Sequence, residues 1–333
     1  MLAAAGDRAP GVHASVSGSI FPVSVLKTVE AVLLFTGVFF IFNKRSEDFF
    51  IMRKENSIDL FEGHSFLTPY TLDGVRPTIL VIPGGGYANV CERTEGEAIA
   101  RRFNELGFHA FVLEYRVAPH RFPEPQQDAM RALRLIRYRA AEWGVITDRI
   151  AVCGFSAGGH LAGCMGTITA HVPSVFQDEI DAMRGDADAM ILSYAVLSFA
   201  PWSHAGTRIN LCGDDAALTA LCNLPDQVGA HTPPAFIWHT FEDSAVPYQN
   251  AIDFAVAMRR ADRPCELHIF PHGDHGTLLG LDTPDISKWQ ELAASFILTQ
   301  WDIRDSGRDN IICEKYGYTR QSELQIKYGY KSE

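Results

Sequence analysis

Short apolar runs alternate with longer amphipathic stretches through most of this 333-residue chain. Runs such as TILVIP (residues 78–83) and AFIWH (residues 235–239) are apolar almost throughout, as in strands that helices cover on both faces. The stretches between the runs carry apolar residues at helical spacing, and Glu95–Leu106 ends at Gly107, a good helix terminator. The pattern predicts an α/β fold with a mainly parallel central sheet and helices on both faces.

Six strands and four helices follow from this pattern. The predicted strands are Thr78–Ile82, His109–Glu114, Ile150–Cys153, Ala189–Ser193, Ala235–His239 and Glu266–Phe270. The predicted helices are Glu95–Leu106, Pro125–Trp143, Tyr248–Arg260 and Ile286–Trp301. Because no linker-like composition separates these elements, we expect one domain over residues 46–303, with one or two antiparallel edge strands in residues 46–74. An N-terminal extension (residues 1–45) and a polar tail (residues 304–333) would flank this domain.

The acidic balance of the chain limits its partners. The formal net charge is −11 at pH 7, whereas nucleic acids and anionic membranes attract basic surfaces. We therefore expect no nucleic-acid partner and no membrane affinity, while a homo-oligomer stays open. The seven cysteines are scattered without a CxxC pair, and there is no HExxH pair. This spacing predicts reduced thiols in a cytoplasmic protein, without a metal site or a disulfide framework.

The two ends of the chain fit this picture less well. Residues 31–42, AVLLFTGVFFIF, form an apolar run as long as a signal-peptide core but shorter than the ~20 residues of a spanning helix. A membrane anchor or uncleaved signal is one interpretation of this run. We expect instead an appended segment, either a helix packed on the domain or the result of a mis-assigned start. The tail repeats KYGY at residues 315–318 and 327–330, too little for a repeat architecture, and predicts a poorly packed extension.

The pentapeptide Gly154–Gly158, GFSAG, is a G-x-S-x-G pattern directly after the predicted strand Ile150–Cys153. In a strand-to-helix turn this motif lifts the serine hydroxyl above the edge of the sheet. The helix N-terminus also places a positive dipole beside a developing oxyanion. For the pentapeptide alone, a glycine-rich turn without a catalytic role is the alternative. The context favours Ser156 as a nucleophile.

A second glycine-rich loop, PGGGY at residues 83–87, follows the predicted strand Thr78–Ile82. Acyl transfer requires backbone N–H groups aimed at the tetrahedral oxygen, and glycines let the backbone approach it closely. A phosphate-binding loop would need G-x-x-x-x-G-K-[ST] or G-x-G-x-x-G, and neither occurs here. A plain turn is the remaining alternative. We expect an oxyanion hole made by this loop together with the N–H of Ala157, the residue after the serine.

Two later loops carry a candidate acid and a candidate base. Asp243 lies after the fifth predicted strand, and His275 lies between glycines after the sixth. The order Ser…Asp…His is the one that α/β-hydrolases use. Asp243 would hold the imidazole of His275 in the correct tautomer, and His275 would accept the proton of Ser156. Glu242 and His272 are the competing choices for the acid and the base.

Six segments together resemble one branch of the esterase/lipase family, which contains bacterial acetyl-xylan esterase-like and endo-xylanase-B-like proteins. The segments are IPGGGY, LEYRVAPHRFPEPQQDAMRALRLIR, DRIAVCGFSAGGHLAG, DAMILSYAV, TPPAFIWHTFEDSAVP and ELHIFPHGDHG. The resemblance covers about two thirds of the chain, from Arg76 to Trp301. It implies the α/β-hydrolase fold, with Ser156, Asp243 and His275 as a catalytic triad.

The resemblance also implies oxyanion donors at Gly85, Gly86 and Ala157, by analogy with the HGGG-type loops of related esterases. This chain differs from that pattern at Pro83, where many relatives have histidine. The difference leaves the choice between Gly85 and Gly86 open.

The function expected from these residues is a serine carboxylesterase that removes short acyl groups, above all acetyl, from sugars or other small alcohols. The substrate would be a small ester, including acetylated oligosaccharides, and no metal or organic cofactor is expected. Tyr87, Trp202 and His204 are candidate substrate contacts, and residues 195–230 would shape the pocket. An amide hydrolase (an arylformamidase or a small peptidase) is the alternative enzyme. A catalytically inactive relative kept as a binding module is the alternative from another class.

Overall fold

A ten-stranded sheet runs through residues 38–43 and 48–306, the part of the chain that the computed structural model describes. The strands are β1 (Val38–Asn43), β2 (Asp48–Lys54), β3 (Ile58–Asp59), β4 (Phe66–Leu72), β5 (Arg76–Ile82), β6 (His109–Glu114), β7 (Val145–Phe155), β8 (Ala189–Ser193), β9 (Ala235–Thr240) and β10 (Cys265–Phe270). The helices are α1 (Glu92–Glu95), α2 (Glu97–Glu105), α3 (Glu124–Tyr138), α4 (Ala140–Trp143), α5 (Ser156–Thr167), α6 (Ala205–Cys212), α7 (Ala216–Leu221), α8 (Gln249–Arg260) and α9 (Trp289–Ser306).

The strand order is β1-β2-β4-β6-β5-β7-β8-β9-β10, and β3 pairs with β4. The strands from β6 to β10 along this order are parallel to one another. The first three strands are antiparallel to their neighbours. Because the carboxyl ends of the parallel strands meet at one edge, the loops after β5, β7, β8, β9 and β10 converge there.

Helices cover both faces of the sheet. Along β5, Leu80 and Ile82 belong to one hydrophobic core, whereas Ile79 and Val81 belong to the other. All four side chains are fully buried, as expected when successive residues of a strand point to opposite faces. The first core includes residues of α3, α5 and α8, and the second includes residues of α2 and α9. The predicted α/β architecture is therefore confirmed.

The boundaries of the elements differ in places from those predicted. The single helix expected at Pro125–Trp143 is divided at Arg139 into α3 and α4. Residues 46–74 contain antiparallel strands, as predicted. However, β4 lies between β2 and β6 inside the sheet, so that it is not an edge strand.

The apolar run near the N-terminus is partly a strand. Val38–Asn43 pairs antiparallel with β2, so that for these residues the expected helix is wrong. A short apolar run rich in aromatic residues fits a strand as well as a buried helix. Residues 31–37 and both KYGY elements lie outside the described residues. None of the described helices has the length and hydropathy to span a bilayer, and α9 continues to Ser306, past the expected domain end at residue 303.

Candidate active site

The predicted nucleophile lies at the junction of β7 and α5. β7 ends at Phe155 and α5 begins at Ser156, whose φ of 53° is in the left-handed region. A non-glycine residue rarely adopts this backbone conformation, and it costs free energy that the surrounding structure must supply. Gly158 permits the tight turn, because a Cβ there would collide with the carbonyl oxygens of Ile82 and Pro83. The Ser156 hydroxyl therefore lies at the carboxyl edge of the sheet.

A histidine and an aspartate from two later loops extend a hydrogen-bonded chain from this serine. His275 Nε2 lies 2.9 Å from Ser156 Oγ, and His275 Nδ1 lies 2.7 Å from Asp243 Oδ2. Because Nδ1 faces a carboxylate, it carries the ring proton of the neutral imidazole, and Nε2 is left to accept the serine proton. The structure thus brings together the three side chains that the sequence singled out.

The side chain of Asp243 is fully buried and held by four donors. Its Oδ1 accepts the N–H groups of Ala245 and Val246 at 3.0 and 2.8 Å, and its Oδ2 also accepts from His239 Nε2 at 3.1 Å. Burial alone would raise the pKa of Asp243, but the bonds from His239, His275 and the Val246 N–H outweigh it and lower that pKa well below its ordinary value. Asp243 is therefore ionised at neutral pH.

The competing acid and base point elsewhere. Glu242 Oε2 accepts the N–H of Gly273 at 3.1 Å, which ties the two loops together. His272 Nδ1 lies 3.0 Å from Asp285 Oδ2, with 67% of its side chain exposed. The bond to Asp285 raises the pKa of His272. The geometry favours Asp243 and His275 over this pair.

The glycine loop after β5 (residues 83–87) lies against the serine at Gly84. Gly85 and Gly86 have φ values of 126° and 66°, and within the described residues neither N–H has an acceptor. The Gly85 carbonyl accepts from the N–H groups of Ala88 and Asn89. The N–H of Ala157 belongs to the first turn of α5, where N–H groups have no partner within the helix. These three N–H groups are suited to an oxyanion, and Gly85 and Gly86 both stay candidates.

The three predicted substrate contacts have different surroundings. The structure does not support Tyr87 as a substrate contact, because its side chain is fully buried and its hydroxyl lies 2.9 Å from His160 Nδ1. The Tyr87 ring packs in the core against Tyr115 and His160, where it has no exposed surface to offer a substrate. His204 caps α6 by accepting the Thr207 N–H at 3.2 Å, and burial followed by the charge of His275 lowers its pKa. Trp202, two residues before His204, is 43% exposed.

The structure adds residues that the sequence did not single out. His239 is the penultimate residue of the buried strand β9 and bonds to Asp243. Its position four residues before Asp243 was the only signal for it. Glu95 and Tyr194 form a buried pair beside the serine. Asn210, on α6, donates to the glycine loop. Within the described residues, no group of three or more His, Cys, Asp or Glu side chains is arranged to hold a metal ion.

The doubly covered parallel sheet, the strained serine turn and the Ser156–His275–Asp243 chain of hydrogen bonds define the class of protein as an α/β-hydrolase. The chain belongs to the BD-FAE family, whose sequence profile matches residues 66–258.

Individual relatives agree with this assignment. Over 221 residues the chain is 38% identical to endo-1,4-beta-xylanase B of Butyrivibrio fibrisolvens, a match that covers 63% of this chain and 34% of that protein. It is 30% identical over 272 residues to an acetylxylan esterase of Xylanibacter ruminicola, covering 77% of this chain and 52% of that protein. The chain thus spans about a third and about half of the lengths of these two proteins.

A solved structure covers the fold more completely. An acetyl ester-xyloside bifunctional hydrolase from Caldicellulosiruptor lactoaceticus superposes with a TM-score of 0.68 at 37% identity, covering 76% of this chain and 97% of that one. A carboxylesterase from Lactobacillus plantarum superposes with a TM-score of 0.63 at 25% identity, covering 77% and 98%.

Proposed function

We propose that this protein is a serine carboxylesterase that removes short acyl groups, above all acetyl, from sugars or other small alcohols. The observation that carries the proposal is the hydrogen-bonded chain Ser156–His275–Asp243 beside two glycine N–H groups that have no acceptor in the part of the chain that the structure describes. A nucleophile, its base, the orienting acid and oxyanion donors are the four parts that acyl transfer to serine requires.

Acylation begins when Ser156 Oγ bonds to the ester carbonyl carbon and its proton moves to His275 Nε2. The carbonyl π electrons move to the oxygen, which becomes an oxyanion. The Ala157 N–H and an N–H of the glycine loop stabilise that charge, and each such donor contributes about 3–4 kcal/mol. When the intermediate collapses, the bond to the alcohol oxygen breaks and His275 returns the proton to that oxygen. The alcohol leaves, and an acyl-enzyme remains.

Deacylation repeats these steps with water. His275 Nε2 takes a proton from the water as its oxygen bonds to the acyl carbon, and the same N–H groups hold the second oxyanion. Collapse breaks the bond to Ser156 Oγ, which recovers its proton from His275, and the carboxylic acid departs. Asp243 stays ionised throughout and stabilises the imidazolium form of His275, as expected from its lowered pKa.

The names of the relatives support the choice of substrate class. An acetylxylan esterase and an acetyl ester-xyloside hydrolase are among them, and a carboxylesterase shares the fold. The segment between β8 and β9 consists of the short helices α6 and α7 and a 3₁₀ turn. Such short elements fit a small acyl site better than a site for long acyl chains.

The test is a hydrolysis profile over p-nitrophenyl esters from acetate to decanoate, run beside acetylated xylo-oligosaccharides and with the Ser156→Ala variant as the control. We expect release of acetate from both kinds of substrate by the wild-type protein alone. Rapid cleavage of N-formylkynurenine with slow ester cleavage would favour the amidase instead. Absence of both activities, together with no labelling by a fluorophosphonate, would favour the inactive binding relative.

A further inference from the structure

A buried carboxylate that the mechanism above does not use lies beside the nucleophile. Glu95, the last residue of α1, is only 5% exposed. Its Oε2 accepts the N–H of Gly84 at 2.6 Å, and its Oε1 accepts the hydroxyl of Tyr194 at 2.8 Å. Removing a carboxylate from water is costly unless donors replace the water. The position of Glu95 therefore depends on these two bonds, and the two donors depend on Glu95.

One end of this bridge holds the start of the glycine loop. A Cβ on Gly84 would lie 3.0 Å from both Glu95 Oε2 and Ser156 Cβ, and 2.8 Å from the carbonyl oxygen of Phe155. The Gly84 backbone is thus pressed between the carboxylate and the nucleophile. Because Glu95 takes the Gly84 N–H, that group cannot serve an oxyanion. The bond fixes the peptide that directly precedes the candidate oxyanion donors Gly85 and Gly86.

The other end holds the base. Tyr194 is buried, has a φ of 36° and follows β8 directly. Its ring stands edge-on to the ring of His275, with centroids 5.1 Å apart and an interplanar angle of 72°. Its ring also contacts Phe155, the residue before the nucleophile, at 5.7 Å. The hydroxyl bond to Glu95 therefore fixes a ring that touches both the base and the nucleophile turn.

We infer that Glu95 is a positioning residue. It holds the glycine loop through Gly84, and it holds the base His275 through Tyr194, so that both keep a fixed position relative to Ser156. The inference rests on the proposed esterase function. Its physical basis is preorganisation, since oxyanion donors and a general base act fully only when they are in place before the reaction. Two segments that are far apart in the chain, at Gly84 and at Tyr194, meet at one carboxylate, so its removal would loosen both.

The test compares Glu95→Gln and Tyr194→Phe with the wild-type enzyme on p-nitrophenyl acetate. Glutamine keeps the shape but offers one acceptor oxygen, so that one of the two donors loses its partner. We expect kcat per titrated active site to fall roughly 10- to 100-fold, the loss associated with misplacement of about 1 Å, and KM to change by less than about threefold. Tyr194→Phe removes the hydroxyl alone and should give a smaller loss in the same direction. The double variant should lose less than the product of the two single losses, because both changes break the same bridge.

Asp188→Asn is the matched control. Asp188 is a buried carboxylate that also accepts a backbone N–H, that of Ile150 at 2.9 Å, and it pairs with Arg137 and Arg184. It directly precedes β8, at the amino ends of the parallel strands, whereas Ser156 lies at their carboxyl ends. We expect this variant to unfold at lower urea concentration while its kcat per active site, counted by complete fluorophosphonate labelling, equals that of the wild type.

The outcomes separate a positioning role from a structural one. If Glu95→Gln loses stability but keeps the wild-type kcat per active site, the inference is overturned. If Glu95→Gln fails to fold, Tyr194→Phe decides, and a wild-type kcat for that variant also overturns the inference. Failure of the proposed function is recognised separately, by a wild-type protein without esterase activity or by a Ser156→Ala variant that keeps it.

Discussion

The side-chain amide of Asn210 donates to the carbonyl oxygen of Gly86 at 2.9 Å. This bond joins α6, in the segment between β8 and β9, to the glycine loop after β5. The bond fixes the peptide between Gly86 and Tyr87, directly after the two candidate oxyanion donors. The segment that we expected to shape the pocket therefore also supports the proposed oxyanion hole.

Asn210→Ala should lower kcat for p-nitrophenyl acetate by about tenfold, since the Gly86 carbonyl loses a donor and the loop a constraint. Asn210 is partly exposed, so that the urea midpoint should hardly change. Steady-state rates and urea melts check both expectations. A change in the midpoint without a change in kcat would contradict the assigned role.

Ser156→Ala should lower kcat by roughly 10⁴- to 10⁶-fold, because it removes the covalent path. The fold should stay intact, because alanine keeps the Cβ and removes only the hydroxyl. Initial rates and circular dichroism measure the two effects. Near wild-type turnover by this variant would exclude the whole catalytic proposal.

The choice of the base is tested by two neighbouring alanine variants. His275→Ala should abolish turnover, since no other ring bonds to Ser156 in the described part of the chain. His272→Ala should cost less than about threefold, because it removes only an exposed pair with Asp285. The kcat values of the two variants give the answer. Reversed phenotypes would assign the base to His272.

Stability should fall as the pH is lowered from neutrality, because two histidines are buried in neutral form. His109 accepts the Leu72 N–H, and His160 bonds to Tyr87 and the Cys222 carbonyl. Burial lowers the pKa of both from 6.5 to about 4. At pH values between about 4 and 6.5, the two histidines bind protons in the unfolded chain but not in the folded protein. The free energy of unfolding therefore keeps its full value above about pH 6.5. It decreases toward pH 4 by roughly 3 kcal/mol for each histidine.

Urea unfolding at about pH 7.5 and about pH 5 measures this loss. His109→Gln is the informative variant, since its amide can accept from Leu72 and donate to Gly144 without titrating. It should show a smaller decrease between the two pH values than the wild type. An equal decrease in both proteins would rule out His109 as a source of the effect.

The acyl-chain preference is the fifth prediction. Each added CH₂ that fits the pocket gains at most about 0.8 kcal/mol, whereas a steric misfit costs about 1–3 kcal/mol. We expect kcat/KM to be highest for acetate or propionate and at least about tenfold lower for octanoate, or ~1.4 kcal/mol. The p-nitrophenyl ester series measures it, and a maximum at octanoate or longer would indicate a lipase-like pocket.

The sequence predicted which side chains meet at the edge of the sheet, because parallel strands bring successive loops to one place. Ser156, His275 and Asp243 each follow a strand, so their approach follows from topology. The supporting contacts could not be predicted in this way. Glu95 and Tyr194 are 99 residues apart, and Asn210 and Gly86 are 124 apart, and only the packing of the helices brings such pairs together.

Tyr87 shows the same limit within a single motif. Gly84 of the same loop lies against Ser156, yet Tyr87, with a φ of 56°, has its ring in the core. Adjacency to a functional glycine therefore predicts the neighbourhood of a side chain but not its direction. The strand at Val38–Asn43 is a related case, since its pairing with β2 depends on an unfilled sheet edge that the local sequence does not reveal.

That N-terminal strand has a consequence for how the protein is handled in solution. β1 covers the backbone N–H and C=O groups along one edge of β2. Without β1, those groups would offer a template onto which another chain could pair. Five steps in the strand order separate β1 from β7, which leads to the nucleophile. A protein that lacks β1 would therefore keep the catalytic geometry at β7. It would instead aggregate, through pairing of the exposed β2 edges of different molecules.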